Sequence, residues 1–371
     1  MSRHGNVFLG LDIGTDFIKS VIARSAKNSP FEILGIGHVK QARGAMNAGT
    51  IINIPAVTES CELAIHDAEQ QSGLAVHSVV VGIAGELVKS STSTVRYHRE
   101  RPDRPLSDSE LSVLLERVQE TTREKALKEI SFETDNPHAE VSLINSAIVS
   151  VSVDGQKVNN PIGFKCHEVI VEFYTAFAPR VHVRAIEKIC SDLNLDLLAI
   201  AVDPFATCRA LLGDEENAST PSIIIDIGGG NTNLAIVDRN GIRGTYTFSI
   251  GAKSIHNDIS IWFSGLEIAL GMFPTVETLP SNILLCGGGA NNLELQETLA
   301  IGDWFHGLSF SRRPLINLID PSSLPDLENH SSRELDSTFT TAIGLARIAV
   351  DTMESGKGEG FATKISKILS H

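Results

Sequence analysis

The chain has 371 residues, with 31 Lys and Arg against 45 Asp and Glu, a formal net charge of −14, and 42% hydrophobic and 20% charged residues. That is the composition of a soluble globular protein with room for two domains, and it excludes a disordered or collagen-like chain. So acidic a body, with 5% aromatic residues, is a poor binder of phosphate backbones or stacked bases, so no nucleic-acid partner is expected. The most apolar run, 259–273, is too short to span a bilayer, and there is no secretory leader pattern. Cys61, Cys166, Cys190, Cys208 and Cys286 are scattered and form no CxxC, which reads as a reducing cytoplasm.

The first strand, 7–11, runs into Asp12-Ile13-Gly14-Thr15, and a second alternating run over 17–23 predicts a tight β-hairpin. A strand at 33–39 follows, then a helix over 58–72 with one apolar face ending near Gly73. A buried strand is predicted at 78–83. From about residue 86 the character shifts: β-branched residues at 92–95, then Arg96, Arg99, Arg101 and Arg104 among prolines. That basic stretch reads as a solvated loop, with a protein contact as the alternative. Ser107 and Glu110 make a capping box for a helix over 107–126, and 141–153 alternates as a strand. Residues 86–165 are therefore expected to be an inserted α/β subdomain, with 1–85 and 166–212 as the first domain. Strand, helix, strand and helix are predicted at 168–178, 180–193, 197–202 and 204–212.

The second domain, 213–350, opens like the first. Ile223-Ile224-Ile225-Asp226-Ile227-Gly228-Gly229-Gly230 repeats the pattern of Leu9-Gly10-Leu11-Asp12-Ile13-Gly14, and strands follow at 234–237 and 245–249. A third glycine turn, Gly287-Gly288-Gly289, ends the strand 283–286. A helix is predicted at 339–350, a flexible linker over 351–360, and a short helix over 361–371.

The glycine turns carry the chemistry. Glycine lets backbone N–H groups approach phosphate oxygens without an intervening Cβ. Asp12 and Asp226, at the strand ends, offer hard oxygens to a Mg²⁺ brought in by a nucleotide, through water. The Thr15 hydroxyl can bond a phosphate, Lys19 can offset its charge, and the third turn can receive a nucleoside. A single glycine hairpin is usually only a turn, but three after buried strands, two of them sharing the Asp, point to nucleotide binding. There is no P-loop and no dinucleotide fingerprint. No metal-ligand spacing of His with Cys or carboxylate and no nucleophile motif is present, and no catalytic residue can be assigned.

At these residues the sequence resembles the actin/Hsp70/sugar-kinase superfamily. Residues 9–19 and 225–233 are similar to its two phosphate loops, 286–290 to its adenosine loop, and Asp203-Pro204-Phe205-Ala206 and 341–346 to its two connecting helices. Within that superfamily the chain resembles the bacterial division protein FtsA, through Ile36-Gly37, Gly44, Gly49-Thr50-Ile51, Asn159-Asn160-Pro161-Ile162-Gly163 and the place of the insertion. The resemblance implies an α/β, actin-like ATPase fold of two related domains with an FtsA/PilM-type inserted subdomain. It implies ATP and Mg²⁺ held by Asp12, Gly14, Thr15, Lys19, Asp203, Asp226, Gly228, Gly229, Gly230, Gly287, Gly288 and Gly289, with slow or no hydrolysis. Asp203 stands where relatives usually carry Glu.

The interval 251–287 is much shorter than in that family. It has room for one or two helices at 254–273, so the second-domain lobe near 252–280 is expected to be reduced. In FtsA that lobe docks the tail of FtsZ and contributes to filament contacts. FtsZ binding is therefore expected to be weak or to use another surface, with self-association open.

On a helix, Phe361, Ile365, Ile368 and Leu369 form one apolar stripe, with Lys364 and Lys367 opposite. That pattern suits an in-plane membrane helix, and FtsA ends similarly; a helix packed on the core is the alternative. The implied function is an ATP-binding adaptor that tethers division machinery to the cytoplasmic face of the inner membrane. A PilM-like pilus-assembly adaptor and a small-molecule kinase remain as alternatives.

Overall fold

The computed structural model describes residues 6–25, 29–212, 220–238, 241–273 and 278–354. Strands β1 (Asn6–Ile13) and β2 (Phe17–Ser25) form an antiparallel hairpin that β3 (Phe31–Lys40) extends. Two short strands, β4 (Met46–Asn47) and β5 (Thr50–Ile51), precede helix α1 (Ile54–Ser72). The Asn53 side chain accepts a hydrogen bond from the Ala56 N–H, and Gly73 ends the helix at φ 68°. This cap and Pro55 start the helix four residues before the apolar periodicity becomes visible at 58. Strand β6 (Ser78–Ile83) then lies parallel to β1.

The chain next builds a separate sheet from β7 (Lys89–His98), β8 (Val141–Val153), β9 (Gln156–Val158) and β10 (Glu168–Pro179), in the order β7-β10-β8-β9. Helix α2 (Asp108–Glu133) starts at Ser107, whose hydroxyl accepts from the Glu110 N–H. It runs seven residues past the predicted end, because Ala126 and Ile130 continue its buried stripe. Its Leu111, Leu115 and Val118 share a core with Val171 and Phe173.

Helix α3 (Arg180–Asp192) and strand β11 (Asp196–Val202) return to the first sheet, and α4 (Asp203–Leu212) leads out of it. The second half contains β12 (Ser222–Ile227), β13 (Thr232–Asp238), β14 (Gly241–Phe248), α5 (Ala252–Ile255), α6 (Ile259–Gly271), β15 (Asn282–Cys286), α7 (Leu293–Ile301), β16 (Leu315–Leu318), β17 (Leu327–Asn329) and α8 (Thr340–Glu354).

The two main sheets repeat one design. The first runs β11-β6-β1-β2-β3-β17 and the second β16-β15-β12-β13-β14. In each, an antiparallel hairpin and a third antiparallel strand lie on one side, and two parallel strands on the other. Where α1 sits in the first half, the second half has α5 and α6. Helix α6 buries Trp262, Phe263 and Leu266, and the Trp262 indole N–H donates to Thr232 Oγ1 at 2.9 Å. Its other face leaves Ile261, Ile268 and Met272 exposed.

Helices α4 and α8 cross in close backbone contact. A Cβ at Gly344 would collide with the Ala206 carbonyl, and one at Gly10 with the Ala342 carbonyl. Bare backbone at these two positions therefore sets how closely α8 approaches α4 and β1.

Two segments lie elsewhere than the sequence boundaries put them. Strand β10, read with the first domain, sits inside the inserted sheet and pairs with both β7 and β8. An interior strand needs partners on both edges, which a boundary drawn at 165 denied it. Strand β17, read with the second domain, pairs in parallel with β3. Ile319, Leu324, Phe339 and the buried face of α8 belong to the first hydrophobic core. A three-residue strand carries too little periodicity to announce that return. Among the described residues no helix is long and apolar enough to cross a membrane. The expected linker over 351–360 overlaps the end of α8, which continues to Glu354; the rest of it and the tail at 361–371 lie outside the described residues.

Candidate nucleotide site between the two halves

The two Asp-x-Gly hairpins close in the same way. The Gly14 N–H donates to the Phe17 carbonyl at 3.1 Å, and the Gly228 N–H donates to the Asn231 carbonyl at 2.9 Å. Two residues before each glycine, an aspartate faces a polar residue across the ladder: Asp12 faces Lys19, and Asp226 faces Asn233. Because strand side chains alternate, this register sends each Asp to the same side as its partner.

Lys19 Nζ stands 3.0 Å from Asp12 Oδ2, with both side chains nearly buried. Burial works against the lysine charge, but Asp12, Asp226 and Asp203 together outweigh it and raise its pKa. Asp203, the first residue of α4, is 8% exposed. It fits there because Gly82 of β6 has no Cβ to collide with its carboxylate. Burial, then the charges of Asp12 and Asp226, lift its pKa well above the ordinary value. Burial also raises Asp226, with Lys19 acting against the shift. The Thr341 hydroxyl, at the start of α8, donates to Asp226 Oδ2 at 2.9 Å and meets the Thr207 hydroxyl at 2.9 Å.

Two buried carboxylates, Asp12 and Asp203, and the half-buried Asp226 thus act on one ammonium, and Asp203 Oδ1 is buried with no hydrogen-bond partner. Orphaned anionic oxygen in a low-dielectric setting is costly unless it is protonated or meets a cation. An all-oxygen donor set suits a hard ion such as Mg²⁺, which keeps several of its waters and reaches carboxylates through them. Asp12, Asp203 and Asp226 are the residues that would hold it, and it would supply charge neutralisation beside the phosphates. The residues present therefore fit a hydrated magnesium ion. Among the described residues, the cluster whose ligand atoms lie within 4.8 Å of one another is a different one, Glu32, Glu328 and His330, on the β3–β17 edge.

The glycine turns converge above these carboxylates. A Cβ at Gly230 would lie 3.1 Å from Thr15 Cγ2, and one at Gly229 would collide with the Asp16 carboxylate. Thr15 Oγ1 accepts from the Gly49 N–H at 3.1 Å. Gly287 has φ +83°, and a Cβ there would strike Asp226 Oδ1. Gly289 abuts Ile227, whereas Gly288 faces open space. Gly288 and Gly289 line a cavity of about 200 Å³ with Ile255, His256, Asn291 and Asn292.

Asp12, Lys19, Asp203 and Asp226 are therefore brought together beneath the hairpins, with Gly14, Thr15, Gly228, Gly229 and Gly230 above them and Gly287, Gly288 and Gly289 alongside. Sequence reasoning did not single out Thr341, Asn233, Asp16 or Lys253 as site residues, although 225–233 and 341–346 resemble a phosphate loop and a connecting helix. The cross-strand position of Asn233, opposite Asp226, mirrors that of Lys19 opposite Asp12 and was the available signal. Phe361, Lys364, Ile365, Lys367, Ile368 and Leu369 lie outside the described residues.

Two related sheets joined by crossing helices, with glycine hairpins meeting between them, define the α/β architecture of an actin-like ATPase. The same fold is found in the PilM–PilN type IV pilus biogenesis complex, matched with a TM-score of 0.66 at 16% identity over 92% of this chain and 98% of that one. In sequence, the chain is similar to the cell division protein FtsA. It is 26% identical over 261 residues to the cell division protein FtsA of Pseudomonas aeruginosa, covering 70% of this chain and 58% of that protein. It is 23% identical over 262 residues to FtsA of Enterococcus faecalis, covering 70% and 55%. The chain thus spans little more than half the length of these curated relatives. No family model matches it.

Proposed function

We propose that this chain is an ATP-binding, actin-like adaptor of the FtsA type, which links division machinery to the cytoplasmic face of the membrane. Mg·ATP would lie between the halves, with its phosphates against the two hairpins and its nucleoside beside Gly288. The observation that carries the reading is the group of Asp12, Asp203 and Asp226 at the paired glycine hairpins, with Asp203 Oδ1 buried and unpartnered. Hydrolysis would be slow or absent, since among the described residues none stands out as positioning an attacking water.

Membrane attachment would come from the amphipathic segment 361–371. One such short helix binds weakly and reversibly, and an assembly presenting several would bind far more tightly. The FtsZ-type partner follows from the likeness to FtsA, while the interval that would dock it contains only α5 and α6 among its described residues. Co-sedimentation of the full chain with anionic liposomes, compared with a chain lacking 361–371, tests the tether. Loss of sedimentation on truncation is expected; equal sedimentation would remove membrane attachment from the proposal. A pilus-assembly adaptor is the second reading, since the PilM–PilN complex shows the same fold. Specific binding of an FtsZ tail peptide would favour the first reading over it.

A further inference from the structure

The gap between the two glycine hairpins contains an acidic side chain. Asp16 follows Thr15 in the first turn, and its carboxylate packs directly against the Cα of Gly229 in the second. It also forms an ion pair with Lys253 at the start of α5. The Lys253 backbone N–H donates to the Gly229 carbonyl at 3.2 Å, so the lysine is fixed to the second hairpin while its ammonium reaches the first. The Asp16 carbonyl accepts from the Gln41 N–H at 2.8 Å, which anchors the loop independently of the side chain.

We propose that Asp16 is a specificity-determining residue that occupies the phosphate position: its carboxylate competes with nucleotide phosphates for Lys253 and for the second glycine turn. This inference rests on the nucleotide reading above. A carboxylate beside bare glycine backbone and an ammonium imitates the anion such a turn is built to receive. A phosphate entering the gap must displace Asp16 and then face its negative charge at close range. Lys253 can change partners at little cost, because its side chain is 63% exposed and that of Asp16 30%, and exposed pairs are weak. The pair thus makes the cleft selective: a ligand binds only if its phosphates, with their cation, outcompete a tethered carboxylate. The nucleoside pocket beside Gly288 lies outside this competition.

The test is a titration of the full-length protein and its Asp16→Asn variant with Mg·ATP and with adenosine. Asparagine keeps the shape and removes the charge, and no backbone bond is altered. Asp16→Asn is expected to bind Mg·ATP about tenfold more tightly, as removal of one close like charge implies, with adenosine affinity unchanged. In that background Lys253→Met should reverse most of the gain. Mg·ATP binding by the parent with no gain in Asp16→Asn, or an equal gain for adenosine, would overturn the inference alone. Failure of both proteins to bind Mg·ATP at millimolar concentration would overturn the nucleotide reading and this inference with it.

Discussion

Thr341, at the head of α8, donates a hydrogen bond of 2.9 Å to Asp226 at the end of β12. The bond fixes the second connecting helix to the carboxylate of the second hairpin. A neighbouring hydroxyl pair, Thr341 and Thr207, joins α8 to α4. Asp226 is therefore tied through Thr341 to both α8 and α4. Thr341→Val keeps the shape and removes the donor, leaving a half-buried carboxylate oxygen short of a partner. Chemical denaturation should show a loss of about 1–3 kcal/mol; no loss would mean that Asp226 finds another donor.

The charge cluster predicts an inverse pH dependence. Asp203 ionises well above the ordinary carboxylate range in the folded chain, whereas in the unfolded chain it ionises near about 3.9. Between those values the native state binds more protons, so its contribution to stability is fully present below the unfolded pKa. It is lost as pH rises through the folded value. Asp226 shifts in the same direction and adds to the slope. Thermal melts without divalent ions should therefore show this component declining above about pH 4. Mg²⁺ should restore part of it, more at higher pH. Asp203→Asn should flatten both the pH slope and the Mg²⁺ effect; an unchanged slope would remove Asp203 from the account.

The α4–α8 crossing depends on a missing side chain. A Cβ at Gly344 meets the Ala206 carbonyl within the packed core, so Gly344→Ala must push the helices apart. The expected cost is about 1–3 kcal/mol, larger than the small gain that alanine brings to an exposed helix. A more stable Gly344→Ala protein would show that the crossing is loose.

Much of this architecture could be read from the chain. Leu9-Gly10-Leu11-Asp12-Ile13-Gly14 and Ile225-Asp226-Ile227-Gly228 are strand-and-turn signals, because buried β-branched and aliphatic runs end at glycines that bare the backbone. Ser107 announced α2 through its cap. Strand β17 and the membership of β10 were not legible, since they depend on long-range pairing that leaves no local period. Asp16 has no local pattern in the sequence that marks it out. Only the fold brings it to Gly229 and Lys253, which are more than two hundred residues away in the chain.

Under the proposed FtsA-type function, the interval 252–280, expected from the sequence to be reduced, predicts a weak FtsZ contact. Residues 252–273 hold α5 and α6, and α6 presents Ile261, Ile268 and Met272 outward. Titration of an FtsZ tail peptide should give weak binding or protection outside 252–280. Tight binding mapped to that interval would contradict the expectation.

The tail predicts a distinct signature in lipid binding. If the proposed membrane attachment through 361–371 holds, Phe361→Glu or Ile368→Glu should release the full chain from anionic liposomes, since a charge on the apolar stripe expected from the sequence would cost roughly 2 kcal/mol or more. Lys364→Ala with Lys367→Ala should cost about 1 kcal/mol per lysine, mainly on anionic lipid, and added salt should imitate it. Lost thermal stability with unchanged lipid binding would instead favour the alternative expected from the sequence, that 361–371 packs on the core.

The central claim is that a nucleotide and its metal bind between the two Asp-x-Gly hairpins. Calorimetric titration of Mg·ATP into the full-length protein, Asp12→Ala and Asp226→Ala tests it most directly. The account predicts binding by the parent that requires Mg²⁺ and weakens at least about tenfold, some 1.4 kcal/mol, in each variant. Parent-like Mg·ATP affinity in both variants would contradict it.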